Sequence, residues 1–92
     1  MAHITVDPAG DDTFRVTIDE RGSTSTHLVT ASPETVRSLA DGATAAALVE
    51  ASFRFLLDRE PKESILPRFD VTVISRYFPD FETELPGYLE KT

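Results

Sequence analysis

Residues 69–85 read FDVTVISRYFPDFETEL. Residue type alone points to a strand, because Val, Thr and Ile are β-branched. Spacing points to a helix. Val71, Ile74, Phe78, Phe81 and Leu85 recur 3, 4, 3 and 4 positions apart, which places them on one helical face. Asp70 stands where an N-cap side chain can accept from the first turn. Phe69 and Ile74 occupy the N′ and N4 positions of a hydrophobic staple. Pro79 divides the pattern, since Phe78 before it is biased out of helical geometry. The spacing therefore predicts a helix over 71–77. A short helix follows, with Pro79 at its first position and Pro86–Gly87 at its end, and Tyr88 and Leu89 anchor the terminus.

Upstream, the first third alternates with a period of two. In 3–7, Ile4 and Val6 share a face. In 13–19, Phe14, Val16 and Ile18 face inward while Thr13, Arg15 and Thr17 face outward. Residues 24–31 form a third strand whose inward face is ambiguous, because Leu28 and Val29 are adjacent. Pro8, Gly10 and Asp11–Asp12 supply one turn, and Glu20–Ser23 the next. Short connections make the sheet antiparallel.

Ser32–Pro33–Glu34 is a helix start with an N-cap, a proline at the first position and an acid in the first turn. Val36, Leu39 and Ala40 form its apolar face, and Gly42 stops it. A longer helix runs from about Thr44 to Arg59, with Ala45, Leu48, Val49, Phe53, Leu56 and Leu57 as its stripe. Glu50, Arg54 and Asp58 line the opposite face four apart. Phe53 and Leu56 are expected in the main core, against Phe14 and Val16. PKESILP (61–67) is a connector whose Ile65 and Leu66 are expected to plug the core. The expected architecture is a single α+β domain over 1–92: a three-stranded antiparallel β-meander, then three to four helices packed on one face.

Composition narrows the function. The chain has 92 residues, 40% of them hydrophobic, and a formal charge of −7. One core is the expectation at this length. The acidity disfavours non-specific nucleic-acid binding, which demands a basic footprint. It favours solubility, or a basic partner. Charge is uneven: residues 77–90 carry Asp80, Glu82, Glu84 and Glu90 and no base. There is no cysteine, which removes disulfides and thiolate chemistry. No apolar run is long enough to span a membrane, and MAHITVDPAG lacks the regions of a signal peptide. A cytoplasmic, bacterial-type protein is the expectation. Seven Arg against two Lys fit a GC-rich genome.

Chemical motifs are few. Glycines 10, 22, 42 and 87 are too dispersed for a phosphate loop. His3 and His27 fall on strands with no suitably spaced second ligand, and read as half-exposed polar strand residues. Asp7, Asp11 and Asp12 crowd one turn, but their spacing is not that of a calcium loop. No catalytic residue, metal site or cofactor is expected. Arg54, Arg59, Lys62, Arg68 and Arg76 could form a basic patch, but the interleaved Asp58, Glu60, Glu63 and Asp70 suggest solvated ion pairs. The aromatics Phe69, Tyr77, Phe78, Phe81 and Tyr88 serve the core or a docking surface, where aromatics and Arg are favoured. The expected interaction surface comprises Arg76, Tyr77, Phe78, Asp80, Phe81 and Glu82.

The stretch SFRFLLDREPKESILPRFDVTVISRYFPDFE resembles a family of small bacterial proteins. Its members carry an F-L-L-x-R-E-P-x-E-S-I-L run, then F-D-x-x-x-I-x-R-Y-F-P. Thr26–Thr30 resembles their T-H-x-V-T, so the likeness covers about residues 24–84. It implies no activity and no site residues. The order of three strands then helices is also similar to the antitoxin half of some toxin–antitoxin pairs, a likeness that does not transfer function. The leading functional expectation is a small non-enzymatic interaction or regulatory domain with a protein partner or a second copy of itself as a homodimer. A nucleic-acid-linked regulator of antitoxin type is second, and an enzyme with an unrecognised site is third.

Overall fold

In a computed structural model, which describes residues 2–90, three strands run in sequence. They are β1 (His3–Gly10), β2 (Thr13–Glu20) and β3 (Ser23–Thr30). Arg21 and Gly22 fill the β2–β3 turn with φ of 53° and 80°, the left-handed geometry of a two-residue hairpin. Pairing is antiparallel, with Val16 opposite both Val6 and His27, and Ile18 opposite both Ile4 and Ser25. One face of this sheet enters the core. The other carries Thr5, Thr17 and Thr26 in one row, and Asp7, Arg15 and Leu28 in the next.

The sheet has a fourth strand that the spacing did not reveal. β4 (Arg68–Asp70) pairs parallel to β3, so the order is β1-β2-β3-β4 and the sheet is not a pure meander. Its register sets Phe69 beside Val29 and Asp70 beside Thr30. The cause is the length of the connection. A parallel neighbour needs a long crossover, and the two helices between β3 and β4 provide it.

Those helices are α1 (Pro33–Ala40) and α2 (Ala45–Leu57). Ser32 and Thr44 cap them, accepting from the amides of Thr35 and Ala47. Gly42 turns the chain between them at φ 90°, a conformation that suits a residue without Cβ. α2 fills the centre: Leu48, Val49, Ala51, Ser52, Phe53, Phe55 and Leu56 are all buried. Ser52 is tolerated there because its hydroxyl donates to the Leu48 carbonyl. Phe53 and Leu56 lie in the core as expected. The rings beside Phe53, however, are those of His27 at 5.5 Å and Phe69 at 5.8 Å, towards β3 and β4.

The stretch 71–77 is helical, beginning as a 3₁₀ turn over Val71–Val73 and continuing as α3 (Ile74–Tyr77). Asp70 caps it, accepting from the Thr72 amide at 3.0 Å. The same carboxylate accepts from Thr30 on β3 at 2.5 Å, so one side chain ties strand, sheet and helix start together. The next helix differs from expectation at both ends. α4 (Phe81–Glu90) begins two residues after Pro79 and continues through Pro86. An internal proline removes one backbone hydrogen bond. Burial of Phe81 and Leu85, with Tyr88 and Leu89 packed on the same core, outweighs that loss. Leu66 also departs from expectation: Ile65 is buried, but Leu66 is 45% exposed. The chain is extended here, and Leu28 donates to the Pro67 carbonyl, so successive side chains alternate and only one can point inward.

Candidate functional site

Alternation along the 65–70 segment leaves a groove between the C-terminal end of α2, the 64–66 connector and the helical turn after β4. Leu56, Ile65, Leu66, Phe69, Val73, Ile74, Tyr77 and Phe78 supply its apolar lining, and Glu60 and Ser64 its polar atoms. Its volume is about 380 Å³, within the range of small-ligand and side-chain-binding clefts. Two of its lining residues, Leu66 and Tyr77 (68% exposed), are the large hydrophobics most exposed to solvent.

Glu60 is the unusual member. It is half-buried, and burial pushes its carboxyl above the ordinary glutamate range. Among the described residues no donor is bonded to its carboxylate. A desolvated, uncompensated acid beside an apolar wall favours an incoming cation or donor. Residues 58–60 leave the helix in a turn stapled by the Arg59 and Glu60 amides to the Leu56 carbonyl. That turn directs Glu60 to the groove and Arg59 the other way.

Arg59 stacks on Phe55, its guanidinium carbon 3.7 Å from the ring centroid. It donates to Asp80 at 2.7 Å and to the Tyr88 hydroxyl at 3.4 Å. Tyr88 in turn donates to Asp58 at 2.5 Å. Arg59 holds the Asp80 carboxyl below the usual range, and the bond to Asp58 pushes the Tyr88 phenol up. Phe55 is enclosed edge-on by Phe78, Phe81 and Tyr88 at 5.1–5.8 Å.

The six residues read from the sequence as an interaction surface therefore separate. Tyr77 and Phe78 line the groove. Arg76 and Glu82 are exposed, with Glu82 accepting from Ser75 at 3.4 Å. Asp80 is engaged by Arg59. Phe81 is fully buried, so it belongs to the core and not to a surface. Phe69 stands among the aromatics that the sequence offers for a core or a docking surface, whereas Glu60, Leu66 and Val73 carry no such mark in the sequence. The only available signal was the adjacency of Ile65 and Leu66 in an extended connector, where both cannot be inward.

Three of the five basic residues are paired with acids. Arg54 pairs with Glu50 at 2.9 Å, Arg59 with Asp80, and Lys62 with Glu63. Lys62 is itself buried and also donates to Ser23. His27 is only 3% exposed, not half-exposed as its strand position suggested. Its Nδ1 donates to the Leu66 carbonyl at 2.8 Å, and its Nε2 meets Ser25 Oγ at 2.9 Å. The ring thus pins the groove's connector to β3. Among the described residues, no three of His, Asp or Glu converge as a metal site, and no helix is long and apolar enough to cross a membrane.

No family model, no curated protein and no solved structure matches the chain.

Proposed function

We propose that this chain is a non-enzymatic interaction domain. Its docking site is the groove bounded by Leu66, Phe69, Val73, Tyr77 and Phe78, with Glu60 at its rim. The observation that carries the reading is the half-buried Glu60 carboxylate beside an apolar wall with no internal donor. The partner is a protein segment that seats an aliphatic or aromatic side chain in the groove and a Lys or Arg on Glu60. Aromatic and aliphatic anchors supply buried area. The overall charge of −7 adds long-range steering towards a basic partner.

The chemistry is testable without knowing the partner. 4-Phenylbutylammonium combines the two features in one small probe, and 4-phenylbutanoate reverses its charge. In an amide chemical-shift titration the cation should bind with a millimolar constant and move resonances of Glu60, Leu66, Val73 and Tyr77. The anion should bind at least fivefold more weakly. Equal affinities, or shifts confined to other faces, would refute the site.

A further inference from the structure

We infer that a second copy of this chain docks along β1, antiparallel and centred on Thr5, extending the two sheets into one. This surface is separate from the groove and does not depend on it. β1 is an edge of the sheet, and it is eight residues long, whereas the opposite edge, β4, has three. A long edge presents unpaired backbone groups, a template for another strand.

The backbone groups that face outward follow from the register. The two-residue turn Arg21–Gly22 closes on the Glu20–Ser23 pair, so Glu20, Ile18 and Val16 exchange hydrogen bonds with β3. Alternation then turns Arg15, Thr17 and Asp19 towards β1, where they oppose Asp7, Thr5 and His3. Ile4, Val6 and Pro8 are left pointing their backbone outward. Pro8 has no N–H to offer, and an outward edge position is where a strand tolerates proline. Ile4 and Val6 each offer an N–H and a C=O.

The segment His3-Ile4-Thr5-Val6-Asp7 is chemically self-complementary about its centre. A two-fold axis through Thr5 sets Ile4 opposite Val6 of the second copy, so both residues exchange both bonds. It also sets His3 opposite Asp7 of that copy. The neighbouring strands extend the match. On the open face one row becomes Asp19, His3, then Asp7 and Arg15 of the second copy, alternating acid and base across the seam. The next row is threonine throughout, Thr26, Thr17 and Thr5 meeting the same three. On the core face, half-buried Ile4 and Val6 gain cover from each other, where Val16 and Ile18 one strand in are already fully buried. Cross-strand pairs of opposite charge and of β-branched residues are the stabilising kind. Shifting the axis to Ile4 or Val6 loses the His3–Asp7 match, and the Val6-centred register also places Ile4 opposite Pro8, which has no donor.

The chain has no cysteine, so a single introduced thiol reports this register directly. Thr5 would face its own copy in a pair without mutual hydrogen bonds, with Cα atoms about 4.5 Å apart, within disulfide range. Under mild oxidation at 50 µM, Thr5→Cys should form a disulfide-linked dimer at least tenfold faster than Thr17→Cys, on β2, which is paired on both sides. The unaltered chain should sediment at twice its 10.2 kDa mass at 100 µM. Asp7→Arg should weaken association at least tenfold, with unchanged circular dichroism. A monomer at 100 µM overturns the proposal whatever the cross-linking gives. So does a dimer in which Thr5→Cys cross-links no faster than Thr17→Cys.

Discussion

Two regions on either side of α2's end are built from the same materials and end in opposite states. On one side Phe55 is enclosed by Phe78, Phe81 and Tyr88, with Arg59 stacked over it and tied to Asp80. Aromatics, a cation and acids there satisfy one another. On the other side Leu66 and Tyr77 stand exposed around a groove, and Glu60 has lost water without gaining a donor. Phe78 belongs to both: it packs edge-on against Phe55 and lines the groove. Composition does not separate a seal from a site. What separates them is whether each polar group finds its partner inside the chain.

Breaking the closed region should have the largest effect on stability. Phe55→Ala removes a fully buried ring that four side chains surround, and should cost about 3–5 kcal/mol, a large share of a small domain's stability. Urea unfolding with an unchanged midpoint would mean that the cluster does not hold α4. Arg59→Ala removes the stacked guanidinium and should cost about 1 kcal/mol, measured the same way.

Asp70 gives a pH signature. Partial burial pulls its carboxyl up, but hydrogen bonds from Thr30 and from the Thr72 hydroxyl and amide outweigh this, and the group sits below the ordinary aspartate range. A depressed carboxyl contributes stability that is full above its unfolded value of about 3.9 and is lost as pH falls through the folded value. Asp70→Asn should therefore lower stability at pH 6 and narrow the gap to the unaltered chain in acid. A gap that stays constant from pH 6 to pH 2.5 would show that the charge at Asp70 does not matter. The smallest stability effect belongs to the open region: Tyr77→Ala should shift stability by less than about 0.5 kcal/mol, yet weaken 4-phenylbutylammonium at least threefold.

Much of the fold was legible in local pattern. The helix over 71–77 is legible against its β-branched residues because Asp70 and the 3-4-3-4 spacing agree. The structure reproduces both the turn and the cap. The cap Ser32 and the stripe of α2 are equally local signals. What was illegible was non-local. β4 is three residues long and exists only because β3 lies beside it. His27 is buried because β3 turns its odd-numbered residues inward and the Leu66 carbonyl, 39 positions away, meets its Nδ1. α4 continues past Pro86 because its apolar face has the core to cover. The candidate site is half legible: Tyr77 and Phe78 stand out in the sequence by their position at a helix end, whereas Glu60 gains its character only from burial.

The central claim, that Glu60 is held uncompensated for a cationic ligand, is tested most directly by Glu60→Gln, in paired melting and 4-phenylbutylammonium titrations. A carboxyl raised by burial destabilises the folded chain when ionised, a penalty present above its folded pKa and relieved as pH falls through it. Removing the charge should leave the melting temperature at pH 7.5 unchanged or higher, while the preference for the ammonium over the carboxylate probe disappears. A lower melting temperature would mean that Glu60 serves the fold. An unchanged preference would mean that its charge is not what the groove offers.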